Sequence, residues 1–282
     1  MPAASGTAHS AVRSDGVETV RDRLWLWGHD AGALNAEWNF PRPSRITPVE
    51  AAYYMHIPNL LMVKYGGLPE LPYEQYALPM RPLKRVAWSI VGARGERSAD
   101  EREYVLALAE RMPNLTGLVM DDFINWDTGK PEVSVAELRA LQQRLQLPDR
   151  RLDLMMILYA HQLDIDLAEH LPNCNQVSFW TWKSSDLIDI ESNFERFETL
   201  VPHHQRFLGC YLWDFGVKGA PIADLELLKR ECELGLAWLR QGRIVGMIFL
   251  PSSVVDLGLE SVEWVRDWIA EVGGEFLAES EG

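Results

Sequence analysis

Short apolar runs recur along this chain, and each stops at polar or aromatic residues. The first four cover residues 24–27, then Gly28, His29 and Asp30; 60–63, then Lys64 and Tyr65; 86–91, then Gly92; and 118–120, then Asp121 and Asp122. The other four cover 154–158, then Tyr159, Ala160 and His161; 177–182, then Lys183; 207–213, then Asp214; and 244–250, then Pro251. Most intervals between them hold an amphipathic helical stretch. Eight strand-like runs alternating with helices predict an α/β fold of the (β/α)8 TIM-barrel type, in which chemistry gathers at the C-terminal ends of the strands.

Local signals place the helices. Thr47, Pro48 and Glu50 form a capping-box start for a short helix that stops before Pro58. Ser98 and Ser134 stand as N-caps for helices over 99–112 and 135–147. One or two turns are predicted over 165–170, and longer helices over 186–200, 225–239 and 261–272, the last ended by Gly273 and Gly274. Residues 66–82 hold four prolines and two tyrosines and read as an ordered loop crossing the barrel mouth. The chain divides into a tail at 1–20, a single barrel domain at 21–274 and an acidic tail at 275–282 that should fray.

Composition narrows the function classes. With 282 residues, 47% of them hydrophobic, there is ample core for one barrel. A net charge of −14 argues against nucleic acid, whose phosphates need clustered Lys and Arg, and equally against an anionic membrane surface. Cys174, Cys210 and Cys232 form no CxxC pair, so buried free thiols in a reducing compartment are expected. The first 20 residues lack the apolar stretch of a secretory signal, and no run reaches the length of a membrane span. A cytoplasmic protein acting on a small molecule or oligosaccharide, without a cofactor, is the expectation. Its oligomeric state is not read from the sequence.

The strongest chemical signal is the Asp121–Asp122 doublet closing the fourth run. Adjacent strand residues point to opposite sides. Gly117 and Val119 share a face with Asp121, so parity turns Asp121 toward the barrel axis, while Asp122 reaches the mouth only if the strand has already turned into loop. Asp214 closes the seventh run, across the barrel from the fourth. Paired carboxylates facing each other across a sugar-sized gap are the requirement of glycoside hydrolysis. Tryptophan is the third signal. There are 11 in the chain, and Trp27, Trp180, Trp182 and Trp213 at strand ends, with Trp38 and Trp126 in the following loops, fall on the predicted catalytic face. Such rings stack on sugar faces. Trp238, Trp264 and Trp268 sit at helical spacing and read as outer-shell core. A polar ring of His29, Asp30, Lys64, Tyr65, Ser89, Tyr159, His161 and Lys183 completes the substrate-binding candidates.

The strand-4 and strand-7 carboxylates and the aromatic mouth together resemble glycoside hydrolases of the barrel type. That resemblance implies Asp121 or Asp122 as acid/base and Asp214 as nucleophile or second base. The largest clan of such enzymes uses glutamates, with Asn before the first, where this chain has aspartates. Three other readings stay open. Lys183, at the end of strand 6, could serve a Schiff-base aldolase or lyase. His29, Asp30, Asp121, His161 and Asp214 could gather a divalent metal for a sugar isomerase or epimerase, although no HxH or HExxH spacing supports a metal site. The barrel could also bind sugars without catalysis. The loop Gly92-Ala93-Arg94-Gly95 is too degenerate for a phosphate cradle.

Overall fold

A computed structural model describes residues 18–217, 219–222 and 224–277. Eight parallel strands close into one barrel in sequence order: β1 Leu24–Gly28, β2 Asn59–Met62, β3 Arg85–Val91, β4 Leu115–Met120, β5 Asp153–Tyr159, β6 Gln176–Trp180, β7 Gln205–Tyr211 and β8 Gly246–Leu250. Around it run α1 Pro48–Tyr54, α2 Tyr73–Tyr76, α3 Ala99–Arg111, α4 Val135–Gln142, α5 Ile190–Leu200, α6 Leu225–Arg240 and α7 Glu260–Val272. The chain is a single (β/α)8 barrel, as the alternation of apolar runs requires.

Register explains what fills the interior. Trp27 pairs with Leu61, Leu61 with Ala87, Ala87 with Gly117 and Gly117 with Asp153. On the far side Tyr159 pairs with Trp180, Trp180 with Gly209, and Gly209 with Ile248. These residues share the inward face. Mid-barrel, the Trp27 and Trp180 rings meet edge to face at 5.3 Å. Trp180 lies directly over Gly209, where a Cβ would fall 2.0 Å from the indole. Gly209 is therefore the small member of a large–small pair, and the indole fills the axis.

The N-terminal end of the barrel is plugged by polar groups. Asn59 donates to the Leu24 and Asp22 carbonyls at 2.7 and 3.0 Å. Arg85 donates to Asn59 Oδ1 at 3.2 Å and stacks over Trp25. The 3-10 turn Val20–Arg23 crosses this end and is itself pinned, because Val20 N–H donates to the Glu275 carbonyl and Leu277 N–H to the Glu18 carbonyl. The acidic tail expected to fray is thus paired over 275–277; residues 1–17 and 278–282 of the two expected tails lie outside the described residues.

Local expectations fare unevenly. The Thr47 and Ser134 capping boxes are both formed, whereas Ser98 makes no cap hydrogen bond. The helix expected over 135–147 stops at Gln142, and residues 165–170 form turns without a helix. Residues 66–82 do not cross the mouth. They fold into α2 and a 3-10 turn in the outer layer, where Tyr73 and Tyr76 pack on Trp88. Trp88 lies on the outward face of β3, so two aromatic rings cover it where a longer helix would otherwise sit. The shell tryptophans behave as their spacing predicts: Trp238 stacks on Phe194 at 3.9 Å and Trp268 is buried. The three cysteines are free and buried. No helix among the described residues is long and apolar enough to cross a membrane.

The Trp180–Gly209 fit gives the first test. Gly209→Ala forces the rigid indole to move and should cost about 1–3 kcal/mol, the usual penalty for overpacking. Urea unfolding followed by tryptophan fluorescence measures it. Unchanged stability would show that the indole is free to shift.

Candidate active site

The C-terminal strand ends surround a cavity of about 390 Å³, within the range of small-ligand sites. Its floor is Trp27, braced by a short polar chain. Trp27 Nε1–H donates to His29 Nε2 at 3.1 Å, which leaves His29 Nδ1 as the protonated nitrogen, donating to the Val63 carbonyl at 3.0 Å. Burial pushes the His29 pKa down to about 4. His29 is therefore a neutral brace with both nitrogens engaged.

Asp121 and Asp122 both line the cavity, on the same wall but in different states. Asp122 adopts a left-handed backbone conformation with φ 40°, which an aspartate tolerates better than most residues. The reversal lets neighbouring residues of one strand reach the same space. Asp122 Oδ2 accepts from the Arg94 backbone N–H at 2.7 Å; Oδ1 accepts from Trp126 Nε1–H at 2.9 Å and from the Tyr159 hydroxyl at 3.2 Å. The Asp121 carboxyl has one hydrogen bond among the described residues, its Oδ1 accepting from the Asp122 N–H at 2.8 Å. Its second oxygen has no hydrogen-bond partner among the described residues and belongs to a side chain that lines the cavity. Burial, and then the charge of Asp122, hold the Asp121 pKa well above the ordinary 3.8. Burial likewise raises Tyr159 and Tyr211, so both stay neutral hydroxyls.

The rim is continuous. Trp38 Nε1–H donates to the Tyr65 hydroxyl at 2.8 Å, and Tyr65 donates to Glu37. Arg94 reaches Glu37 at 2.6 Å, and its backbone holds Asp122. Trp126 packs on His161 and Trp182, each at 5.0 Å. Trp182 approaches Phe215, which meets Trp38 edge-on at 4.9 Å. Arg42 ties the loop after β1 to the Leu257 carbonyl beyond β8. Neighbouring strand-end loops are thus joined to one another around the mouth.

The candidates read from the sequence divide. Trp27, His29, Tyr65, Asp121, Asp122, Tyr159 and Trp182 line the well. Asp214 does not. β7 ends at Tyr211, two residues before the apolar run does, and Asp214 falls in the following loop. There its carboxylate accepts from the Ser184 hydroxyl and N–H and from the Gly216 N–H at 2.9 Å. It closes the turn between the β6 and β7 loops, and Tyr211 takes the place facing Asp121. Lys64 turns outward to Glu101 on α3, and Ser89 accepts from the Lys64 N–H. Asp30 caps the Ala31 N–H and faces Tyr76. His161 stacks behind Trp126 on Tyr159. Trp180 is interior packing, and Trp213 is buried with its N–H on the Trp38 carbonyl. Lys183 is exposed and packs beside Gly216. The five metal-ligand candidates are not assembled, and among the described residues no three His, Cys, Asp or Glu gather.

Tyr211, Arg94, Asn125, Asp127 and Phe215 line the well without having been singled out. Tyr211 had a signal: it shares strand parity with Gly209 and Phe207. Arg94 belongs to the Gly92–Gly95 loop, whose amide cradles a carboxylate instead of a phosphate. The other three sit on loops whose course no periodicity encodes.

No family model and no curated protein matches the chain. Solved structures similar to it are active domain 2 of the chitinase from Pyrococcus furiosus (12% identity, TM-score 0.55, covering 92% of this chain and 98% of that one), the Bacillus megaterium QM B1551 spore cortex-lytic enzyme SleL (11%, 0.55, 95% and 76%), and a xylanase-A-amylase inhibitor protein (12%, 0.53, 89% and 98%). The fold is thus the (β/α)8 barrel that these proteins share. It also serves an inhibitor, so the barrel alone does not fix an activity.

The Asp121 environment has a measurable consequence. A carboxyl whose folded pKa is raised favours folding fully below its unfolded pKa, and that contribution is lost as pH rises toward the folded value. Asp121→Asn keeps the acceptor for the Asp122 N–H and has no charge to bury. Its melting temperature should exceed wild type at neutral pH, and the gap should close as pH falls below 3.8. Equal melting temperatures at neutral pH would mean that Asp121 is not held protonated.

Proposed function

We propose that the well receives the end of a carbohydrate chain and that Asp121 protonates the glycosidic oxygen of its terminal sugar. The observation that carries this reading is the buried Asp121 carboxyl at the base of an aromatic well, with one oxygen unpartnered. A carboxyl whose charged form is disfavoured by burial and by a neighbouring carboxylate is a general acid poised to donate. Proton transfer to the bridging oxygen lets the bond from the anomeric carbon to that oxygen break. Positive charge grows on the sugar ring, beside the Asp122 carboxylate and the electron-rich faces of Trp182 and Tyr159. Water then adds to the anomeric carbon and gives its proton to the Asp121 carboxylate, which restores the acid. Asp122 is a positioning residue: its three hydrogen bonds fix Trp126, Tyr159 and the loop carrying Arg94.

The contacts that link neighbouring strand-end loops around the mouth favour entry by a chain end. The similarity in fold to proteins named as a chitinase and a spore cortex-lytic enzyme is consistent with glycan cleavage. One observation favours a second reading, in which the barrel binds sugar without cleaving it. The wall opposite Asp121 presents Tyr211 and Leu250 and no carboxylate among the described residues, so an opposed acid–nucleophile pair is absent there.

Oligosaccharides labelled at the reducing end separate the two. Hydrolysis should release one terminal unit at a time, and Asp121→Asn should slow it by ~100-fold or more while circular dichroism stays unchanged. Trp182→Ala should weaken binding by ~1–2 kcal/mol, the scale of one aromatic contact. Binding without any cleavage would establish the second reading. Wild-type rates in Asp121→Asn would remove Asp121 from the mechanism.

A further inference from the structure

The charges around the well are one-sided. The Asp122 and Asp127 carboxylates line it, with Asp121 beside them held toward its neutral form, and among the described residues Arg94 is the one cationic side chain that does so. Arg94 is already neutralised, since its guanidinium pairs with Glu37 at 2.6 Å and stands 64% exposed on the rim. The other basic groups at the strand ends do not compensate. Lys64 points outward to Glu101, Lys183 is exposed outside the lining, His29 is neutral with both nitrogens bonded, and His161 is held toward its neutral form by burial. Asp127 has no ion pair among the described residues. It adjoins Trp126, whose ring is 45% exposed at the rim. Ring faces are themselves electron-rich and attract cations, and low-dielectric walls focus the field of the carboxylates into the well.

An anionic sugar, whether a uronate, sulfate or phosphate ester, would meet this field without a counter-charge. A neutral sugar would leave Asp127 unused. Given that the well takes a sugar, as proposed above, we propose that the sugar carries a free, positively charged amino group and that Asp127 with Trp126 receives it at the rim. The substrate class is then a glycan ending in an unacylated amino sugar. The ammonium donates to the Asp127 carboxylate and lies against the exposed Trp126 face, while the anomeric side of the ring descends toward Asp121.

Titration calorimetry against matched trisaccharides tests this directly. The probes are β-1,4-linked glucosamine and α-1,4-linked galactosamine trimers, their fully N-acetylated forms, a glucose trimer and a galacturonate trimer. At least one amine trimer should bind ~10-fold or more tighter than its acetylated form, a difference of about 1.4 kcal/mol. The preference should shrink in high salt, because it is electrostatic, and at pH values that deprotonate the amine. Asp127→Asn should reduce the preference several-fold. Equal or tighter binding of the acetylated, neutral or uronate trimers overturns the proposal, as does failure of both amine trimers to bind or an unchanged preference in Asp127→Asn. Amine trimers that bind selectively but are never cleaved would sink the hydrolytic reading and leave this one standing. Cleavage of a neutral trimer without amine preference would do the reverse.

Discussion

The mouth of this barrel depends on one contact deep inside it, the indole of Trp180 lying on Gly209. A barrel of eight strands has room on its axis for side chains and for little else. Here a single large ring fills that room because the paired position on the neighbouring strand has no side chain. Trp27 then meets Trp180 edge-on, and its N–H orients His29. The floor of the well is therefore the upper surface of the barrel core. Its rigidity comes from close packing, so the walls above can be loops without losing their positions.

Asp122 performs the corresponding task for the walls. One carboxylate accepts from three loops or strands at once, and its left-handed backbone brings it beside Asp121 instead of behind it. Strain at such positions is tolerated where surrounding hydrogen bonds over-determine the geometry. Asp121 bears the cost of this arrangement: its carboxyl is buried next to a charge with only one hydrogen bond among the described residues. The same features that destabilise its ionised form favour the protonated one. The opposite end of the barrel shows the contrast. There Arg85, Asn59 and the Gln176–Gln205 pair satisfy one another, which is the chemistry of a seal.

The fold is shared with a chitinase domain, a spore cortex-lytic enzyme and an inhibitor at about one residue in eight, so function has to be argued from the side chains in the well. Those side chains are aromatic and acidic, and the nearby bases are paired, outward-facing or neutral. Hydrogen bonding of Asp121 and the direction of each strand-end residue decide which groups are available. Asp214 illustrates the point: it is buried, acidic and close to the end of β7, yet its oxygens are committed to Ser184 and Gly216.

The sequence by itself determined the barrel, the order of its strands and the inward face of β4. Those follow from periodicity, since an apolar run of strand length must be buried and successive side chains must alternate. It also located Trp27, Asp121, Tyr159 and Trp182, which lie on or just beyond strands with the right parity. It did not determine where β7 stops, because Leu212 and Trp213 extend the apolar run past the last residue in the sheet. Tyr211 therefore gave way to Asp214 in the linear pattern. Nor could it show that residues 66–82 cover Trp88 in the outer layer, or that Arg94, Phe215 and Asp127 converge on the rim. Those placements belong to loops, whose paths are set by contacts between residues far apart in the chain. Only the tertiary structure decides such contacts, because the hydrogen bonds and ring packings that fix them have no period along the sequence.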